Sequence, residues 1–444
     1  MKKSQISHLR GKADMLIEFS VGNYRSFKEK VTFSMVAANL VSQDKNLDIN
    51  NVFAVDKELS LVKSAAIYGA NASGKSNLAK ALQFMKWFMV NSSKETQSTE
   101  AIGVEKFRLS TDTDEQPSFF EIVFILDGQQ HRYGFTADRE KVRSEWLYYV
   151  PKTRETKLFD RQEDKFDVAK VLKADGIAAK TRGNALFISV LAQFNVSKSE
   201  SILHWLSLNL NLISGLDDTK FLSDTIKNLF RTDIYDDAIK LIGRFDLSIT
   251  SVKQKQNHAD LELKNAINSG KDKKEILEIM KGSFHMLMSD RIIETTHQKF
   301  NGDRAAVSLE SFDLLADESA GTQKLFALAS FLVNTIKYGQ VLIIDEFDAR
   351  LHPLMSRSIV ELFNSNETNP HNAQLIVMTH DTNLLSNKIF RRDQIWFTEK
   401  DRYGATALYS LAEYKVRNDA SFESDYIKGK YGAIPYIQVA ESFV

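Results

Sequence analysis

The run Gly69-Ala70-Asn71-Ala72-Ser73-Gly74-Lys75-Ser76 has the spacing GxxxxGK[ST], a pattern that makes a cradle for phosphates. Small residues let the backbone N–H groups from Gly69 through Asn71, Ala72, Ser73 and Gly74 wrap an anion, and a helix opening at Lys75 adds the positive end of its dipole. In such a loop the lysine, Lys75, reaches the β- and γ-phosphates and the hydroxyl of Ser76 ligates Mg²⁺, with Asn77 beside them in the first helical turn. The chemistry expected is capture of a nucleoside triphosphate with its magnesium. A strand must feed this loop and a helix must leave it. Ala65 to Tyr68 is a short apolar run that reads as the strand, and Leu78, Leu82, Met85 and Met89 recur at helical spacing over Lys75 to Val90.

Three further groups carry chemistry. Val341 to Ile344 is an apolar strand ending in Asp345 and Glu346, at the carboxyl end where open α/β sheets place ligands. Asp345 is expected in the magnesium shell and Glu346 as the base that polarises an attacking water. Ser319, Gly321 and Gln323 open a helix that precedes the Asp345 strand, where glycine permits close approach and a serine can donate to a phosphate. His380 follows the next expected strand, Leu375 to Met378.

The order of these elements, phosphate loop, Ser-x-Gly-x-Gln, Asp-Glu strand and histidine, resembles that of ABC-type ATPases of the SMC/RecF-like branch. In that resemblance Ser319 and Gly321 stand at the signature motif and His380 at the switch that contacts the γ-phosphate. Asn23-Tyr24-Arg25-Ser26-Phe27 is similar to the opening of RecF-like heads, which makes Arg25 a candidate near the nucleotide, and Asp348 stands at the D-loop that communicates across a dimer. No Q-loop glutamine stands out beyond Gln116. Residues Pro117 to Glu121 and Tyr426 to Pro435 resemble stand-alone bacterial ATPases of anti-phage abortive-infection modules, such as the AbiL type and the ATPase subunit of PARIS.

The rest of the chain bounds these expectations. Of 444 residues 43% are hydrophobic and 26% charged, a composition with a real core. Basic and acidic residues are equal at 58 each, so no global charge draws the chain to DNA or anionic lipid. The absence of cysteine excludes disulfides, thiol nucleophiles and a Cys-x-x-Cys zinc hook. No apolar run approaches the ~20 residues needed to span a bilayer, and Met1 to Asp14 lack a signal-peptide core, so a cytoplasmic protein is expected. Asp127-Gly128 between Phe119–Leu126 and Gln130–Thr136 signals a hairpin.

The expected architecture is therefore α/β: an ABC-type P-loop head with an antiparallel β subdomain and a helical insertion. Residues 1–14 read as a tail, 15–183 as the first part of the head, 184–290 as a helical arm and 291–444 as the second part of the head. Within the arm, Lys253 to Met288 reads as charged and helix-favouring. The stretch between Ser76 and Ser319 is too short for a long SMC coiled coil. The stretch after His380 is too short for a TOPRIM nuclease as well as the last head strands. The function expected is ATP hydrolysis with ATP and Mg²⁺ sandwiched in a homodimer or higher oligomer, any toxic activity lying in a separate effector protein and no membrane being engaged. The alternative is a RecF-like DNA-binding ATPase of repair or recombination, for which Arg391-Arg392 and Lys271-Asp272-Lys273-Lys274 are candidate phosphate contacts, although solvated surface charge is the preferred reading of both runs. A transporter ATPase subunit is disfavoured by the head opening and the large insertion.

Overall fold

A computed structural model describes residues 14–95, 97–214, 233–245, 248–256, 269, 291–417 and 419–435. The chain divides into two compact units. The first holds Met1–Gly215, Thr335–Asp348 and Ser356–Val444, and the second Leu216–Asn334 and Ala349–Met355.

The first unit carries two sheets. One is antiparallel with seven strands in the order β10-β9-β8-β7-β6-β1-β2, where β1 is Met15–Gly22, β2 Val31–Ser34, β6 Ser118–Leu126, β7 Gln129–Ala137, β8 Val142–Val150, β9 Thr156–Gln162 and β10 Lys165–Val168. The hairpin between β6 and β7 turns at Asp127 and Gly128, both with positive φ (54° and 71°), as a two-residue turn matched to strand twist requires. A short ribbon pairs β3 (Val52–Ala54) with β4 (Ser60–Val62), beside helix α1 (Lys45–Asn50).

The other sheet has six strands in the order β11-β15-β16-β5-β17-β18: Leu210–Ser214, Val341–Asp345, Gln374–Met378, Ser64–Tyr68, Ile395–Lys400 and Thr406–Ser410. All pairs except β17 with β18 are parallel. Its central strands carry VLII, QLIVM and SAAIY, every residue of them buried, as strands covered on both faces must be. Helix α2 (Lys75–Asn91) buries Leu78, Leu82, Met85 and Phe88 in a core shared with both sheets, together with α3 (Phe187–Gln193) and α4 (Ser197–Leu208). Phe88 meets Phe135 of the antiparallel sheet at 5.5 Å, and Trp205 of α4 stacks on Phe124 at 4.4 Å.

The second unit holds a three-stranded antiparallel sheet of β12 (Ile249–Gln256), β13 (Arg291–Phe300) and β14 (Ala306–Asp313), with α5 (Tyr235–Phe245) beside it. Helix α6 (Ala320–Tyr338) begins in this unit and ends in the first; α7 is Pro353–Asn364 and α8 Phe422–Ile427.

Two strands correct the helical reading of 184–290. Leu210–Ser214 extends the six-stranded sheet, pairing in parallel with Val341–Asp345. Ile249–Gln256 covers the start of the stretch read as a charged helix. There Val252 is buried, and the Thr250 and Ser251 hydroxyls bond Thr296 across the sheet, so cross-strand pairing overrides the local helix preference. The remainder of that stretch (257–268 and 270–290), with Lys271, Lys273 and Lys274, lies outside the described residues, as does most of the tail.

Candidate functional site

Parallel pairing brings three strand ends to one edge. β16 lies between β15 and β5, with Ile344 beside Val377 and Met378 beside Ile67. Backbone bonds carry this ladder past the strands: Thr379 N donates to Ile67 O at 3.1 Å and Phe347 N to Met378 O at 3.0 Å. The segment Thr379-His380 therefore emerges between the loop at Gly69 and the acids Asp345 and Glu346.

The loop itself is built by exclusion. A Cβ on Gly69 would stand 2.5 Å from the Thr398 carbonyl oxygen, and Gly74, at φ 119°, would bring one 2.5 Å from the Thr406 hydroxyl. Ser73 Oγ and Thr398 Oγ1 are hydrogen-bonded at 2.7 Å, and Thr406 Oγ1 donates to Ser73 O at 2.8 Å. Strands β17 and β18 thus clamp the loop from behind. Lys75 is only 5% exposed, and its Nζ folds back to donate to Gly69 O (2.8 Å) and Ala70 O (3.3 Å). The first N–H groups of α2 have no upstream helical carbonyl, which leaves them for an anion. Asn71 and Ala72 are exposed, Ala72 with φ 62°, and Ser76 is half-buried beside them.

The electrostatics tie five side chains together. Burial lowers the Lys75 pKa, while Glu346, Asp345 and Asp348 pull it back up. Burial and then the Lys75 charge lower the His380 pKa, so its imidazole is neutral near pH 7, with the same three acids acting in opposition. Glu346 sits in the left-handed region at φ 54°, its N–H donating to Asp345 Oδ1 at 3.2 Å. That conformation is costly for a non-glycine residue and is found where a site over-determines it. Asp348 accepts from Thr379 Oγ1 at 2.6 Å and from His380 N at 3.1 Å.

Other candidates make separate contacts. Ser319 and Gly321 belong to the second unit, where Ser319 is exposed and its Oγ caps α6 by accepting from Thr322 N at 3.1 Å. Arg25, at φ 50°, pairs with Glu105 through its side chain, and its N–H donates to Glu105 O at 2.8 Å. The Asn77 amide donates to Ser26 Oγ at 2.8 Å, and Ser26 O accepts from Thr406 N at 2.7 Å. Within Asn23–Phe27, Ser26 rather than Arg25 bonds the first turn of α2. Gln116 lies on the loop before β6, where its carbonyl accepts from the Asn23 amide at 2.7 Å.

Arg391 is neither a solvated surface charge nor a phosphate contact. It is 5% exposed and paired with Asp48 and Asp393, so it is a buried structural cation rather than a phosphate contact. Arg392 donates to Val416 O at 2.9 Å. Sequence reasoning missed Thr398, Thr406 and Ser26. A polar residue closing the apolar run Ile395-Trp396-Phe397-Thr398 was the one available signal.

The sequence profile of the family described as "AAA domain, putative AbiEii toxin, Type IV TA system" matches residues 64–386. The chain belongs to this family. The match spans the phosphate loop, the Asp345-Glu346 strand and His380, and the AAA domain is one of ATP-binding ATPases. Among solved structures the chain is similar to an SMC head domain from Thermotoga maritima (13% identity, TM-score 0.39, 89% of this chain and 98% of that one). It is also similar to an Smc head bound to the C-winged helix domain of ScpA (14%, 0.44, 89% and 97%). A third similar structure is an Smc head with an extended coiled coil bound to the C-terminal domain of ScpA derived from Pyrococcus furiosus (14%, 0.38, 94% and 99%). No curated protein matches the chain. Among the described residues no helix is long and apolar enough to cross a membrane.

Proposed function

We propose that the protein hydrolyses ATP at two composite sites of a homodimer, as the ATPase subunit of an anti-phage abortive-infection module that acts through a separate effector protein, in the manner of AbiL-type systems or PARIS. The observation that carries this reading is the row of strand ends that couples Lys75, Asp345, Glu346, Asp348 and His380 electrostatically. Lys75 and the first N–H groups of α2 would hold the phosphates in place of the Gly69 and Ala70 carbonyls that Lys75 now meets. Ser76 and Asp345 would hold Mg²⁺, a donor set of hard oxygens that suits it, and the bound ion supplies neutralising charge. Glu346 orients water and takes its proton as the water oxygen bonds to the γ-phosphorus and the bond to ADP breaks. Neutral His380 donates to the γ-phosphate.

Ser319 and Gly321 complete the partner's site in this reading, for which the exposure of Ser319 at the start of α6 is the support. The family description supports the defence role. The burial of Arg391 against Asp48 and Asp393 removes one support from the DNA-repair reading. The test is Gly321→Asp. A Cβ there already meets Arg350 O at 3.2 Å, and a carboxylate repels phosphate. The variant binds ATP as the wild type does and loses turnover; unchanged turnover refutes the composite site. Co-purification of the wild type with a neighbour-encoded protein supports the defence role, whereas ATP-dependent, salt-sensitive DNA binding supports the repair role.

A further inference from the structure

One buried polar cluster in the second unit stands beside the signature residues and has no part in the account above. Thr295 and His297 are two apart on β13, so their side chains share a face of the strand. Both reach the same atom. His297 Nε2 lies 2.6 Å from Glu318 Oε1, and the Thr295 hydroxyl donates to that oxygen as well. The carboxylate accepts, so Nε2 is the donor in this bond. The Glu318 side chain is 7% exposed and that of His297 14%. The His297 ring also packs on Phe312 of β14, with centroids 4.5 Å apart.

Glu318 immediately precedes Ser319 and is held along its main chain too. The Gln323 amide donates to Glu318 O at 3.0 Å and to Leu315 O at 3.1 Å. The turn before it is closed by Asp313, whose carboxylate accepts from Leu315 N (2.7 Å) and Ala316 N (2.9 Å). The side chain of Glu318 is thus fixed from the sheet and its carbonyl from the helix. The exposed Ser319 follows directly, its Oγ bonded to the Thr322 N–H at 3.1 Å.

We propose that His297 is a positioning residue for the signature serine: through Glu318 it fixes where Ser319 presents its hydroxyl to the nucleotide held by a second copy of this chain. The proposal rests on the composite-site reading. His297 touches no substrate, and its effect appears in the partner's turnover rather than in nucleotide affinity.

The test is subunit mixing. His297→Ala alone loses about tenfold in turnover, the effect of losing a hydrogen bond to a buried carboxylate, with ATP affinity within about twofold of wild type. His297→Gln keeps an N–H donor and retains turnover within about threefold. Mixing His297→Ala with inactive Lys75→Ala restores activity. Each heterodimer then has one site with an intact Lys75 from one chain and an intact signature from the other. A parallel mixture of Ser319→Ala with Lys75→Ala is the control. Recovery in the control without recovery in the His297→Ala mixture overturns the proposal and leaves the composite site standing. Recovery in neither overturns the composite site, and the proposal with it. A His297→Gln protein as inactive as His297→Ala also overturns it, because the hydrogen bond is then not what matters.

Discussion

The carboxylate of Asp348 holds the hydroxyl of Thr379 at 2.6 Å and the N–H of His380 at 3.1 Å, so the segment after the Asp-Glu strand grips the switch turn within one chain. Asp348 stands at the D-loop position of the ABC resemblance, and this bond gives it an intrachain role as well. Asp348→Ala leaves both donors unanswered and loses about tenfold or more in turnover, whereas Asp348→Asn keeps a carbonyl acceptor and loses less. Phosphate release at saturating ATP measures the difference.

Lys75 and Glu346 separate binding from chemistry. Lys75→Ala removes the cation from the loop and abolishes binding of a fluorescent ATP analogue. Glu346→Gln binds the analogue normally and hydrolyses ATP about a hundredfold or more slowly, as expected for loss of a general base. Wild-type turnover in Glu346→Gln would remove that residue from its role.

The loop depends on its two glycines and two threonines. Gly74→Ala places a methyl group against the Thr406 hydroxyl and forces a side chain into φ 119°. It should destabilise by at least about 2 kcal/mol and prevent ATP binding. Thr398→Val keeps the shape but loses the bond to Ser73, costing about 1 kcal/mol and weakening ATP binding. Denaturant melts with and without ATP read both effects.

Acid sensitivity has an identifiable source. His131 is fully buried against Phe124, with Nδ1 2.9 Å from Gln129 O, and burial together with the Lys198 charge pushes its pKa down to about 4. The unfolded chain takes up this proton near pH 6.5 and the folded chain only near 4, so stability falls as pH drops through that window, by roughly 3 kcal/mol from this group. In His131→Phe the loss between these pH values is smaller by that amount, measured as the change in denaturant midpoint with pH.

The phosphate loop, its strand and its helix are legible in the sequence because each obeys a spacing rule: the apolar run Ala65–Tyr68 falls one residue short of the strand, and the periodic run Lys75–Val90 one short of the helix. The hairpin at Asp127-Gly128 is legible for the same local reason. The clamp on the loop is not. Thr398 and Thr406 lie far along the chain from Ser73, and only the strand order β5-β17-β18 brings them there. Arg391 looks solvent-facing because of its charge, while its partner Asp48 lies near the opposite end of the chain. Lys253–Gln256 looks helical because its lysines and glutamines favour helix locally, and only pairing with β13 makes it the end of a strand.

The native mass of Glu346→Gln, with and without ATP and Mg²⁺, tests the central claim most directly. The account predicts one chain without nucleotide and two with it, the doubling abolished by adding either Lys75→Ala or Gly321→Asp. A single chain that holds ATP and Mg²⁺ yet never pairs, at concentrations where the wild type turns over, would contradict it.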